Sequence, residues 1–490
     1  MARLSVFFCL FGLFASSLLA LPPPPQTERP ATILDRDDVP RKKVSFPFVS
    51  RAQLAELEAS GVFEILEVRN GRVTALQQDV PTQDTLLASL PVGLSVLSRN
   101  VDDELATFRA KGSEGAYHSV AETEAELKDY AARYPSLCRL ESIGKTFEGR
   151  DIWALKVSGA PDTTKVPRIL VFGLTHAREW ITTEQVFYII KKLVTGYASD
   201  EETKRLLNTR CLFAIPVLNP DGLEYSQSHY KMWRKNRSNR ASGVGVDINR
   251  NFEIGWGKGS SASPGSDVYR GPNFNSEEET KALLELVKRE KFHASISFHS
   301  YSELILYPWG YTTDDPPGKD TFVLHGKAMS EANGYDPGSV AQILYIAGGG
   351  SDDSLFARHG CWAWTFELGQ AFVPAESEIE PICVKNYAAV LHLVKSLDDL
   401  AAKPPPISSA ASITTRLAAV ENVWRCSSPA ILTRPSALDE SGLDELMVAL
   451  AGQTESDPAL AQEIERRACD PTLRRLYAPL ARVTRMGIRQ

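Results

Sequence analysis

Four side chains, far apart in the chain, each close an apolar run and together have the types needed for hydrolytic chemistry. His176 and Glu179 follow the run at 169–172 in RILVFGLTHAREW, His299 closes ASISF, and Glu367 closes WAWTF. A His-x-x-Glu pair plus a distant His offers two imidazole nitrogens and a carboxylate oxygen. Catalytic Zn²⁺ accepts such a set and keeps a fourth position for water. Taken alone, His-x-x-Glu is a common chance pairing, and a lone His at a strand end is more often a satisfied core residue. Only 8 His occur in the chain, and two of them sit at the ends of such runs. A carboxylate such as Glu367 is expensive to bury without a cation or a catalytic task. Near a metal it can take a proton from water and pass it to a leaving amine; the plainer alternative is a salt-bridged Glu.

Between these residues lie HYKMWRKNRS (229–238) and VDINRNF (246–252). Arg234 can polarise a carbonyl and stabilise an oxyanion, because guanidinium holds its charge at any relevant pH. Asn249 and Arg250 offer an amide and a fork of donors, a combination that grips a carboxylate. Asp247 can accept a hydrogen bond from a ligand imidazole and fix its orientation. A basic cluster without such neighbours would read as a solvated face.

Buried strands must carry these side chains. The runs ILVFGLTH, CLFAIPVLNP, ASISFHSY and WAWTFEL alternate with helical stretches such as ITTEQVFYIIKKLVTGY and SEEETKALLELVKRE. That alternation predicts one large α/β domain over 116–401, a mixed and largely parallel sheet flanked by helices. The carboxyl ends of parallel strands open into the crevice where such sheets place their chemistry. Ahead of it, 44–108 read as β-α-β-β-α-β, a small ferredoxin-like α+β unit, with Asn70-Gly71 marking a hairpin.

Residues 1–20 have the pattern of a secretory signal peptide; the apolar run is short for a membrane anchor and a proline run follows at once. Residues 21–43 are a Pro-rich, disordered lead-in, and 109–115 a charged connector whose Arg109 and Lys111 suit a trypsin-like protease, or simply a plain linker. Residues 402–490 carry no catalytic constellation. The 490-residue chain has a formal net charge of −7, which gives no reason to expect nucleic acid as a partner. Beyond the signal, six cysteines remain, an even number that permits disulfides without fixing their pairing. None of them is spaced like a zinc-finger ligand set.

HAREW, NPDG, WRKNRS, GVDINRN, FHSYSELILYPWGYT, GGGSDD and WTFEL resemble, in order and approximate spacing, the motifs of the pancreatic-type (A/B) zinc metallocarboxypeptidases. The resemblance runs from Tyr117 to Leu400, and 44–108 look like that family's inhibitory activation domain. It implies His176, Glu179 and His299 as ligands of one Zn²⁺, Glu367 as general base and acid, and Arg234 as the group on the scissile carbonyl. It further implies Asn249, Arg250 and Tyr345 as the clamp on the substrate's terminal carboxylate, assisted by Arg178, with Tyr301 and Phe372 at the substrate site. A fixed anion clamp beside the metal would leave only the last peptide bond within reach.

Asp352 in GGGSDD stands where the B-type enzymes carry a pocket-floor Asp, which favours C-terminal Lys or Arg. The alternative is an Asp352 that turns away or pairs with a neighbour, leaving an A-type or broad preference. Three features depart from the family pattern: Ser242-Gly243 and Gly265 stand where a loop disulfide is expected, the loop after FEL is short, and 402–490 have no counterpart. The expectation is a secreted, monomeric zymogen acting on peptide and protein C-termini, silenced by its own activation domain, released by a trypsin-like protease, and engaging neither nucleic acid nor membrane. A catalytically silent peptide-binding protein or a cell-wall peptide amidase are the rivals.

Overall fold

The computed structural model describes residues 41–48, 50, 53–54, 56–57, 63–77, 94–98, 101, 115–239 and 244–405. The expected signal peptide, most of the lead-in, the second helix of the N-terminal unit, the connector up to 114 and the extension beyond 405 lie outside them. Among the described residues no helix is long and apolar enough to cross a membrane.

Four strands form the N-terminal unit: β1 (Lys42–Pro47), β2 (Phe63–Arg69), β3 (Arg72–Gln77) and β4 (Ser95–Ser98). They pair antiparallel in the order β2-β3-β1-β4, the ferredoxin-like arrangement expected from the sequence. The β2–β3 hairpin turns at Asn70 and Gly71, both at positive φ (51° and 71°), as a type I′ turn demands. Val44, Phe46, Phe63, Ile65, Val73 and Ala75 are buried as its own core.

The larger sheet has eight strands: β5 (Cys138–Lys145), β6 (Asp151–Val157), β7 (Arg168–Phe172), β8 (Cys211–Ile215), β9 (Ala294–His299), β10 (Leu304–Tyr307), β11 (Asp336–Ser339) and β12 (Trp362–Glu367). Their order is β11-β10-β12-β9-β7-β8-β6-β5. The central four, β12-β9-β7-β8, run parallel; β10 and β6 join them antiparallel, and β5 pairs antiparallel with β6. All five residues of β8 and all six of β9 are buried, because helices cover both faces of a parallel sheet. Among the covering helices are α1 (Val120–Arg133), α2 (Ile181–Gly196), α3 (Glu278–Glu290), α4 (Ser351–His359) and α5 (Glu376–Lys395). α1 begins with a capping box in which Ser119 and Glu122 bond reciprocally.

Register places the chemistry. In the parallel β9–β12 pair, His299 lies directly beside Glu367, so two strand ends meet at one point. At the end of β7, Gly173 allows the backbone to pass α2: a Cβ there would come within 2.7 Å of the Thr182 carbonyl. Four cysteines, Cys138, Cys211, Cys361 and Cys383, are free and buried, with no disulfide among the described residues. Burial pushes the Cys138, Cys211 and Cys361 thiols up to about 12, so they pack as small apolar side chains. Cys426 and Cys469 lie outside the described residues.

Candidate active site

His176, Glu179 and His299 converge beyond the carboxyl ends of β7 and β9, with their ligating atoms within 4.8 Å of one another. Glu179 Oε1 is 2.7 Å from His176 Nδ1, and Glu179 Oε2 is 3.0 Å from His299 Nδ1. The two Nδ1 atoms approach to 3.1 Å. On the far side of the first ring, His176 Nε2 lies 3.2 Å from Asp247 Oδ1, which turns its Nδ1 toward the cluster. All three side chains are buried. Burial alone would raise the Glu179 pKa, but His176 and His299 outweigh it and hold the carboxyl low. Burial pushes His299 down, toward the neutral ring that can ligate. Two lone-pair-bearing rings facing one carboxylate in a buried pocket form a donor set that a Zn²⁺ ion satisfies.

Glu367 projects half-buried into the same cleft from the end of β12. Burial and the nearby Glu179 push its carboxyl well above the usual range, against Arg234 and Arg250. A dication beside it would reverse that balance.

Arg234 is buried and tied to Asp247 Oδ2 by Nε at 3.0 Å and Nη2 at 2.9 Å. Burial works against its charge, but Asp247, Glu64 and Glu179 outweigh it. Asp247 also accepts from the Asn249 N–H at 2.9 Å, so one carboxylate fixes the His176 ring, Arg234 and the turn bearing Asn249 and Arg250. Arg250 lines the cleft, 3.4 Å from the Tyr345 hydroxyl. Gly349, at φ +81°, passes so close to that turn that a Cβ would lie 2.4 Å from the Arg250 carbonyl.

Asp352 lines the same cleft, with Leu306, Val340, Leu344 and Ala347 also on its walls. Its Oδ1 accepts the Asp353 N–H at 2.9 Å, and burial raises its pKa. Asp353, which carried no separate signal in the sequence, accepts the Gly310 and Tyr311 N–H groups and so holds the loop after β10. Tyr301 and Phe372 meet edge to face at 5.1 Å, and Phe372 lies beneath Arg178, its ring centroid 4.2 Å from the guanidinium carbon.

Of the residues expected at the site, all but Arg178 and Asp247 line one cleft; those two are fully buried and reach it through Phe372, Arg234 and His176. The expectation was incomplete on its occupancy. Glu64 of β2 enters it and bonds Arg178, and also Arg234 at 3.0 Å. Period-two alternation carried a faint signal: Phe63 and Ile65 fill the small core, which turns Glu64 to the opposite face. Arg41 likewise bonds the buried Asp267.

Residues 123–389 match the family model described as zinc carboxypeptidase. The chain is 37% identical to mouse carboxypeptidase A2 over 264 residues, 52% of this chain and 63% of that protein's length. To rat carboxypeptidase B it is 34% identical over 343 residues, 64% of this chain and 81% of that protein. Among solved structures it resembles thrombin activatable fibrinolysis inhibitor with a TM-score of 0.63 at 26% identity, covering 74% of this chain and 99% of that one.

Proposed function

The chain belongs to the zinc carboxypeptidase family, and from that premise we propose a secreted exopeptidase that removes C-terminal Lys or Arg and is made as a zymogen. One observation carries the reading: Glu367, the His176–Glu179–His299 set and the guanidinium groups of Arg234 and Arg250 line a single cleft. A Zn²⁺ ion held by the three ligands supplies Lewis acidity there. Asn249, Arg250 and Tyr345 hold the terminal carboxylate of the peptide, which brings its last amide carbonyl toward Arg234. Glu367 takes a proton from the attacking water as its oxygen bonds the carbonyl carbon. Arg234 stabilises the oxyanion; the C–N bond then breaks and Glu367 delivers the proton to the leaving amine.

Asp352 in the lining of the cleft supports a preference for a cationic side chain, whose charge would offset the expense of burying the carboxylate. The apolar walls and the raised Asp352 pKa favour a second reading, an A-type or broad preference. Glu64, seated on two guanidinium groups the reaction uses, supports residues 44–108 as the inhibitory domain. The intact ligand set and Glu367 weigh against a silent peptide binder, and the Arg250 clamp against an amidase. The test is to incubate the secreted chain with trypsin and compare hippuryl-Arg with hippuryl-Phe, with and without a chelator. Chelator-sensitive cleavage that appears only after trypsin and favours Arg is expected. Faster release of Phe would favour the second reading, and full activity before trypsin would overturn the zymogen.

A further inference from the structure

Two arginines share one buried carboxylate outside the cleft. Asp267 is bonded by Arg41 through both terminal nitrogens, one at 3.0 Å, while Arg178 Nη1 stands 3.8 Å from the same carboxylate. Arg178 is wholly buried, with the Phe372 ring on one face and the Met232 carbonyl 3.4 Å from Nη1. Its Nε has no hydrogen-bond partner, and its close carboxylate is Glu64. Both Glu64 and Arg41 come from the N-terminal side of the connector.

We propose that Asp267 is a positioning residue for Arg178, and that removal of the N-terminal unit exchanges its partner from Arg41 to Arg178. This rests on the zymogen reading above. Cleavage in the connector followed by loss of the unit takes Glu64 from Arg178 and Arg41 from Asp267 in one event. Two opposite charges 3.8 Å apart are then left without those partners. Leaving either one unpaired is strongly unfavourable, whereas closing the gap forms a charge-assisted hydrogen bond. The other cations that Asp267 feels are already engaged: Arg234 with Asp247, and Lys235 with the Pro264 carbonyl at 2.7 Å. Asp267 thereby holds the guanidinium from behind, with its opposite edge turned to the cleft where Glu64 had been. An anionic or carbonyl oxygen of the substrate meets an arginine already fixed in place, so less ordering is needed on binding.

A crystal structure of the trypsin-processed chain tests the exchange without any assay. An Arg178–Asp267 contact at hydrogen-bond distance supports it; a gap of 3.8 Å or more overturns it. In kinetics, processed Asp267→Asn should raise KM about tenfold with kcat within about twofold, the pattern of lost uniform binding. Asp267→Glu should recover most of that loss, which a merely structural role would not produce. An unchanged KM in Asp267→Asn overturns the proposal. Arg41→Ala provides a variant whose altered residue is cut away. Its unprocessed form should show on the order of tenfold more basal activity and its processed form none beyond wild type; no rise would overturn the role of Arg41 as anchor. If processed wild-type chain cleaves nothing with zinc supplied, the proposed function fails, while the crystallographic distance still decides the exchange.

Discussion

Two buried clusters in this molecule use the same residue types and reach opposite ends. In one, His176 and His299 face the single carboxylate of Glu179. In the other, the single ring of His118 lies between two carboxylates, Glu184 at 2.8 Å from Nδ1 and Glu126 at 2.8 Å from Nε2, stacked on Phe187. The second cluster supplies its own cation. Burial opposes the charge, but the bonds from Glu126 and Glu184 outweigh it and raise His118 to about 9. In the first, burial pushes His299 down, toward the neutral ring that can ligate. Surplus imidazole creates a demand for an external cation; surplus carboxylate turns histidine into a structural pin. Here the pin fixes the segment directly after the connector to α2, with the His118 N–H also bonded to Glu184.

The largest expected effect sets the clusters apart. His299→Ala should reduce bound zinc from one per chain to near zero and kcat/KM by more than about 10³-fold, beyond the 10–100-fold typical of altering a ligand's outer partner. His118→Ala should keep both zinc and activity; metal analysis of the two variants checks this, and zinc loss in the second would break the comparison. Glu367→Gln should retain zinc while kcat falls by about 10²–10⁴-fold, as expected when a positioned proton carrier is lost. Asp247→Asn should weaken zinc binding by about 10–100-fold, measured by chelator competition, because His176 loses the carboxylate that orients it. The smallest effect belongs to the pin. His118 has a folded pKa raised from its ordinary 6.5, so its contribution is complete below about pH 6.5 and is lost as pH rises through about 9. The loss should be at most on the order of 3 kcal/mol. Denaturant midpoints at both ends of that window should differ in wild type and converge in His118→Ala.

Much of the catalytic cleft was legible because its signals are local. An apolar run followed by His or Glu says that a strand ends there and what it delivers, and β7, β9 and β12 do deliver His176, His299 and Glu367. The hairpin at Asn70-Gly71 was legible for the same reason, since positive φ is a property of the residue itself. The pin at His118 carried no such signal: its partners lie 8 and 66 residues away, on two different helices. The cysteines carried no decisive signal. Their even number permitted disulfides without fixing any, and among the described residues packing buries four of them as thiols.

The sequence by itself determined which side chains could bind a metal, move a proton and grip an anion, because those capacities reside in residue type and in the end of a strand. Only the tertiary structure decided who partners whom. Glu64 and Arg178 are 114 residues apart, and Arg41 and Asp267 are 226 apart. An ion pair has no sequence period; it forms where docking brings two charges together away from water.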